Sequence, residues 1–193
     1  SSLEEDVRRR DFTVNGMMYD PVEDRVIDLV GGRDDLARRT IRAIGDPRAR
    51  FGEDHLRLVR AVRFACRLDF AIEPATLEAV RELAPLVKTV SGERVRNELE
   101  RILATPRAAS GFRLLRDTGL LAVLLPEAAP DEATFALGVA ALEAWGRTGG
   151  TAYGTFTPGL AALLGAAGPE RALEVSDRLR LSREERESLA NVL

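Results

Sequence analysis

The chain has one cysteine, one histidine, one lysine, few aromatic residues and no long apolar run. A single cysteine, Cys66, excludes an internal disulfide. Its neighbours Val59, Val62 and Ala65 predict a buried core thiol, and a reducing cytoplasm fits an unpaired cysteine. With His55 as the only histidine, the chain has too few ligands for a His/Cys zinc site. No apolar stretch reaches the ~18 residues a spanning helix needs, so no membrane partner is expected. The first ten residues are mostly charged and do not read as a signal peptide. Aromatics make up 5% of the sequence, so aliphatic side chains must do most of the packing.

What is present fits a globular protein. The 193 residues are 45% hydrophobic, enough for one large domain or two small ones. A net charge of −3 excludes a highly basic nucleic-acid binder but not a local basic surface. Of 28 basic residues only Lys88 is a lysine. Arginine offers planar paired donors to phosphates and base edges. The global excess also fits genomic base composition, so position decides which arginines matter.

The local signals predict a mostly α fold: a small α/β portion followed by helices. Residues 3–10 read as a short helix. Residues 17–20 and 25–30 read as a hairpin around Pro21–Asp24. A helix over 34–39, a short strand over 40–44 and a turn at Gly45-Asp46-Pro47 follow. Residues 53–68 form the clearest helical pattern. Further helices are expected over 74–83, from Ser91 to about 104, from Pro106 to about 119, and over 131–145, 158–166, 169–180 and 182–192. Pro74 suits a first helical turn, and Ser182 with Glu185 makes a capping box. Gly146 to Gly154 reads as a loop. Two strands do not make a stable sheet alone, which hints at a missing upstream portion.

On a wheel of about 100° per residue, the helix over 53–68 has two faces. Leu58, Val59, Val62, Ala65 and Cys66 fall on one side. Glu53, Asp54, Arg57, Arg60, Arg63 and Arg67 fall on the other. Asp54 and Arg57 are then surface neighbours. One reading is a solvated face with an intrahelical ion pair, worth a few tenths of a kcal/mol. Another is an anion site, because clustered arginines repel one another unless a triphosphate or RNA backbone sits between them. An Asp–Arg pair can also read a base edge. The carboxylate accepts from an amino group while the guanidinium donates to a ring nitrogen. Cytosine and adenine offer that pattern; uracil and guanine offer the reverse. A mismatch leaves buried polar groups unpaired, at roughly 1–3 kcal/mol each.

Four blocks, in order, resemble the class II tRNA nucleotidyltransferase/poly(A) polymerase family. They are Arg9-Arg10-Asp11-Phe12-Thr13-Val14-Asn15; Asp28–Gly32 with Asp35-Leu36, Ile41-Arg42 and Gly45-Asp46-Pro47; Arg50–Arg57 through Arg60, Arg63-Phe64-Ala65 and Leu68-Asp69-Phe70; and Ser91–Val95 with Glu98-Leu99. Together they cover about residues 3–125. The resemblance implies that Arg10 contacts the nucleotide and Asp11 the sugar region. It implies that Asp54 and Arg57 template the incoming C or A, and that Arg60 and Arg63 contact the nucleotide, at its phosphates. Glu93 and Arg94 would support the templating helix. Asp28 and Asp35 could pass for metal ligands, but their strand-end and helix positions favour a structural role.

The resemblance divides the chain into a remnant of a nucleotidyltransferase head (1–50), a helical neck (51–125) and a helical body (126–193). It implies ATP and CTP as substrates, a tRNA or other RNA 3′ end as partner, and two Mg2+ ions. In this family the magnesium ligands lie on a segment before the Arg-Arg-Asp block. None precedes it here, so the chain is expected to hold no metal, carry no catalytic residue and be inactive alone. An excised piece or a separately encoded head would account for this. After Leu160–Leu164, where many relatives carry a His-Asp metal site, Gly165 and Ala166 follow, so that tail site is expected to be absent. The alternative is a non-catalytic helical module of the same origin that binds RNA or a partner without choosing between bases.

Overall fold

The computed structural model describes residues 2–147 and 156–192. Most of the loop expected over Gly146–Gly154 lies outside these. Gly146 and Arg147 are within them and belong to the end of a helix.

Helix α1 (Leu3–Arg9) starts from a Ser2 capping box with Glu5. Strands β1 (Met18–Asp20) and β2 (Arg25–Ile27) pair antiparallel, as the hairpin pattern predicts. Helix α2 (Gly32–Ala37) and β3 (Thr40–Ile41) follow. β3 is not left without a partner. It pairs in parallel with β4 (Ala71–Ile72), a two-residue strand too short to leave a sequence pattern.

That pairing ties the α/β portion to the helices. Ala71 N–H donates to the Arg39 carbonyl (3.0 Å) and Glu73 N–H to the Ile41 carbonyl (2.9 Å). Phe12 bridges to Ala43, and the Ile44 N–H donates to the Asp11 carbonyl at 3.1 Å. The Phe12 ring is fully buried against Phe51 and Phe64, with centroids 6.4 and 5.5 Å away. The Arg-Arg-Asp block is thereby fixed to the helices downstream.

The helix expected over 53–68 is two helices. α3 (Pro47–Glu53) begins where a turn was expected, with the Asp46 side chain accepting from Ala49 N–H at 2.8 Å and Pro47 in the first turn. Asp54 then leaves the helical region (φ −154°, ψ 103°), and α4 runs Leu56–Leu68. The Asp54 carboxylate accepts from Leu56 N–H at 3.2 Å, so it serves the start of α4 rather than riding on its face.

α5 (Pro74–Leu83) matches its expected span to the residue, capped by Glu73 on Thr76 N–H at 2.7 Å. A 3-10 segment (Ala84–Thr89) leads to α6 (Gly92–Leu103), α7 (Ala108–Asp117) and α8 (Leu120–Leu124). α9 (Glu132–Arg147) runs past the stop expected at Gly146, and α10 (Phe156–Leu164), α11 (Pro169–Arg178) and α12 (Arg183–Val192) complete the chain. The Ser182–Glu185 capping box forms, with N–H to side-chain distances of 2.8 and 3.3 Å.

One apolar core runs from Phe12 to Leu189. Leu58, Val59, Val62, Ala65 and Cys66 of α4 are all inside it, as the wheel predicts. Burial pushes the Cys66 thiol up, and it lies 3.2 Å from both the Thr105 hydroxyl and the Arg107 carbonyl. α9 and α10 approach closely at Gly138, where a Cβ would lie 2.4 Å from the Leu163 carbonyl oxygen.

Candidate nucleotide-reading site

Asp11 is the centre of the site. Its carboxylate is largely buried and accepts from two arginines of α4: Arg57 Nε at 3.2 Å and Arg60 Nε at 2.5 Å. Two segments 46 residues apart in the chain therefore converge on one carboxylate. The Arg57 guanidinium is held from all three of its nitrogens, and one Nη2 N–H is left over. Nη1 donates to the Arg50 carbonyl (2.8 Å) and Glu53 Oε2 (2.7 Å), and Nη2 to the Arg9 carbonyl (3.1 Å). Hydrogen bonds from Arg57 and Arg50 hold the Glu53 carboxyl below its ordinary range.

Arg10 is tied locally. It donates to the Asn15 carbonyl at 2.9 Å and pairs with Asp6 at 3.0 Å. Asn15 Oδ1 in turn accepts from Phe12 N–H at 3.0 Å.

Asp54 and Arg57 do not pair with each other's side chains. The wheel made them neighbours on one helix, but the break at Asp54 turns the carboxylate toward α6. There Arg94 Nη2 donates to Asp54 Oδ2 at 2.8 Å. Burial raises the Asp54 pKa, but the hydrogen bonds from Arg94 and Leu56 N–H and the charges of Arg94 and Arg57 outweigh it and leave it lowered. Asp54 keeps about a third of its side chain exposed and Arg94 about half. Glu93 is exposed on the first turn of α6, so Arg94 carries the contact to the template segment. Beside it, His55 Nδ1 lies 2.9 Å from the Thr89 hydroxyl.

Arg63 is not on a solvated face. It is buried, forms an ion pair with Glu98 of α6 and lies 4.0 Å over the Phe64 ring. Burial pulls the Arg63 guanidinium down, with the Glu98 charge opposing. Glu98 also reaches Arg60 at 3.5 Å and Arg101 at 3.4 Å. A continuous chain thus runs Arg57–Asp11–Arg60–Glu98–Arg63. Glu98 belongs to the fourth block but is given no role by the sequence: two of its partners, Arg60 and Arg63, lie on another helix, Arg60 38 positions away.

Asp28 and Asp35 have structural roles. Val30, Gly32 and Arg33 N–H groups donate to Asp28 at 2.9 to 3.1 Å. Asp35 is buried, accepting from the Thr13 hydroxyl (2.6 Å) and Arg42 Nε (2.8 Å). Magnesium needs carboxylates with free oxygens; both Asp28 oxygens are taken by backbone N–H groups, and Asp35 Oδ2 by Arg42 and the Thr13 hydroxyl. Among the described residues no group of three or more His, Cys, Asp or Glu side chains could hold a metal ion. The residues present therefore do not fit the two-magnesium site. A separate groove of about 360 Å³, lined by Arg113, Arg116, Phe135 and Glu143 of α7 and α9 among others, shares no residue with this cluster.

Two family models match the chain: "Poly A polymerase head domain" over residues 1–42 and "Probable RNA and SrmB- binding site of polymerase A" over residues 69–132. The CCA-adding enzyme of Geobacillus stearothermophilus is 47% identical over 123 residues, 64% of this chain and 30% of that one. The solved structure of the Thermotoga maritima CCA-adding enzyme complexed with tRNA-CCA superposes with a TM-score of 0.77 at 28% identity, covering 98% of this chain and 48% of that one. A CCA-adding enzyme solved with CTP gives a TM-score of 0.75 at 27% identity, with 98% and 47% covered. The chain spans under a third of the length of the curated relatives it matches and about half of these solved structures. By its ordered sequence blocks and by its fold over nearly its whole length, the chain matches the class II tRNA nucleotidyltransferase/poly(A) polymerase family.

Proposed function

We propose that this chain is the nucleotide-selecting and RNA-binding part of an RNA 3′-end nucleotidyltransferase of the CCA-adding type. The observation that carries the reading is the convergence of the Arg-Arg-Asp and Glu-Asp-x-x-Arg blocks on the Asp11 carboxylate. A base edge laid between Asp54 and Arg57 meets an acceptor and a donor in the order that cytosine and adenine require. Arg10 and Arg60 stand beside it to meet the triphosphate. Asp11 lies at the sugar end, holding Arg57 and Arg60 in place. Arg63 has no part in contact with the nucleotide, because Glu98 holds it inside the core.

The substrates are ATP and CTP, the partner is a tRNA or other RNA 3′ end, and the setting is the cytoplasm. Residues 1–50 act as a portion of the head, 51–125 as the neck and 126–193 as the body. The catalytic magnesium ions are held by carboxylates other than those described here. By itself the chain binds nucleotides weakly and adds none.

Incubation with labelled CTP or ATP and tRNA lacking its CCA end tests the reading, together with equilibrium binding of all four nucleotides. The expected result is a preference for CTP and ATP with no incorporation. Robust addition by this chain overturns the assignment of the metals elsewhere. Equal affinity for all four nucleotides overturns the selection role and leaves a base-indifferent RNA-binding module.

A further inference from the structure

The template carboxylate is already occupied by a donor from the protein. Arg94 Nη2 sits 2.8 Å from Asp54 Oδ2, where a base reader would receive an exocyclic amino group. The other carboxylate oxygen is fixed by Leu56 N–H, so the side chain keeps its aim if Arg94 leaves. Arg94 is free to leave: its side chain is half exposed, and among the described residues its side-chain hydrogen bond is to Asp54. Arg57 differs, because four hydrogen bonds to four partners pin its guanidinium.

We infer that Arg94 is a specificity-determining residue, a stand-in for the base amino group that competes with incoming nucleotides for Asp54. This rests on the reading of Asp54 and Arg57 as the base-selecting pair. A base with an amino group exchanges one charge-assisted hydrogen bond for another, and Arg94 swings aside. A base of reversed polarity puts a carbonyl oxygen where the carboxylate needs a donor and an N–H where the guanidinium needs an acceptor, so in this register it does not displace Arg94. The competition thus applies to cytosine and adenine alone. A half-exposed pair of this kind is weak enough to be exchanged during binding. The nucleotide-free protein meanwhile keeps no unpaired carboxylate in the site. Apparent affinity for CTP and ATP is lowered by the fraction of molecules in which Arg94 holds Asp54.

The test is binding of CTP, ATP, UTP and GTP to the whole chain, to Arg94→Ala and to Asp54→Ala, with thermal melts as a check on folding. Removal of Arg94 should tighten CTP and ATP by roughly two- to five-fold and leave UTP and GTP unchanged. A residue that only supports the template predicts the opposite, weaker binding of CTP and ATP. That result, or equal tightening of all four nucleotides, overturns the inference. Asp54→Ala separates the two levels. If it abolishes the preference for CTP and ATP while Arg94→Ala weakens them, the base-reading pair stands and the competition falls. If the unmodified chain shows no preference and neither variant changes binding, both fall. Should Arg94→Ala fold poorly, Arg94→Gln keeps the length without the charge, and the same tightening is expected.

Discussion

Two ion clusters frame the start of α4, and they differ in what could displace them. The Asp11 cluster is largely buried, joins three segments and gives every member but Arg63 more than one charged partner. The Asp54–Arg94 bridge is half exposed and rests on one side-chain bond. Breaking a buried pair strands a charge, whereas an exposed pair exchanges with water or ligand at little cost. Asp54 and Arg57, three positions apart, therefore differ. Arg57 is held in the frame that locates the site, with one Nη2 N–H left over, whereas Asp54 has a protein partner that a ligand can displace.

The comparison breaks most readily at Glu98. Glu98→Ala leaves Arg63 charged and buried without its partner, at an expected cost of about 3–5 kcal/mol. Thermal melts should show the largest drop of any single substitution in the cluster, and a variant as stable as the parent would mean Arg63 finds water instead. A purely steric control comes from Gly138→Ala. Its Cβ would meet the Leu163 carbonyl, so roughly 1–3 kcal/mol of stability should go without any change in nucleotide preference. A nucleotide effect from that site, outside both ion clusters, would mean that base selection is not confined to the Asp11 and Asp54 clusters.

The exposed bridge should behave differently. Arg94→Ala is expected to cost no more than about 1 kcal/mol in denaturant unfolding. A loss as large as that of Glu98→Ala would make the bridge part of the frame.

A smaller effect is expected from Glu127, which pairs bidentately with Arg178 at the end of α11. Burial raises its pKa, but the Arg178 hydrogen bonds and charge outweigh that and leave it lowered. A lowered carboxyl contributes stability above its unfolded value, near 4.5, and loses it as pH falls through the folded value. Parent and Glu127→Gln stabilities should therefore converge on acidification below that value, and a constant gap would assign the pair no linked proton.

Much of the fold was legible because its signals are local. Pro74 behind Glu73 marks the start of α5, and the period of Leu58, Val59, Val62, Ala65 and Cys66 marks the buried side of α4. The break at Asp54 was not legible from periodicity, since charged residues continue across it. The signal was in Asp46-Pro47, which a turn and a helix start share; here it starts α3 and leaves Asp54 to begin α4 afresh. β4 escaped notice because two residues carry no alternation. Arg63 sat at the edge of the charged face, and the partner that draws it inward lies on α6. Likewise, Asp11 read as a sugar contact from its motif, while its hold on Arg57 and Arg60 depends on the Phe12–Ala43 bridge that brings the chain back. Long-range pairing sets the site, and the blocks name its members without their partners.

Asp54→Asn offers the most direct measurement. It keeps the size of the side chain and replaces an acceptor-only carboxylate with an amide that both donates and accepts. Relative affinities of CTP and UTP for the parent and variant chains would then report the base-reading step by itself. The structure predicts that the parent favours CTP and that the ratio falls toward one in the variant. A ratio that does not move would show that the Asp54 carboxylate does not read the base.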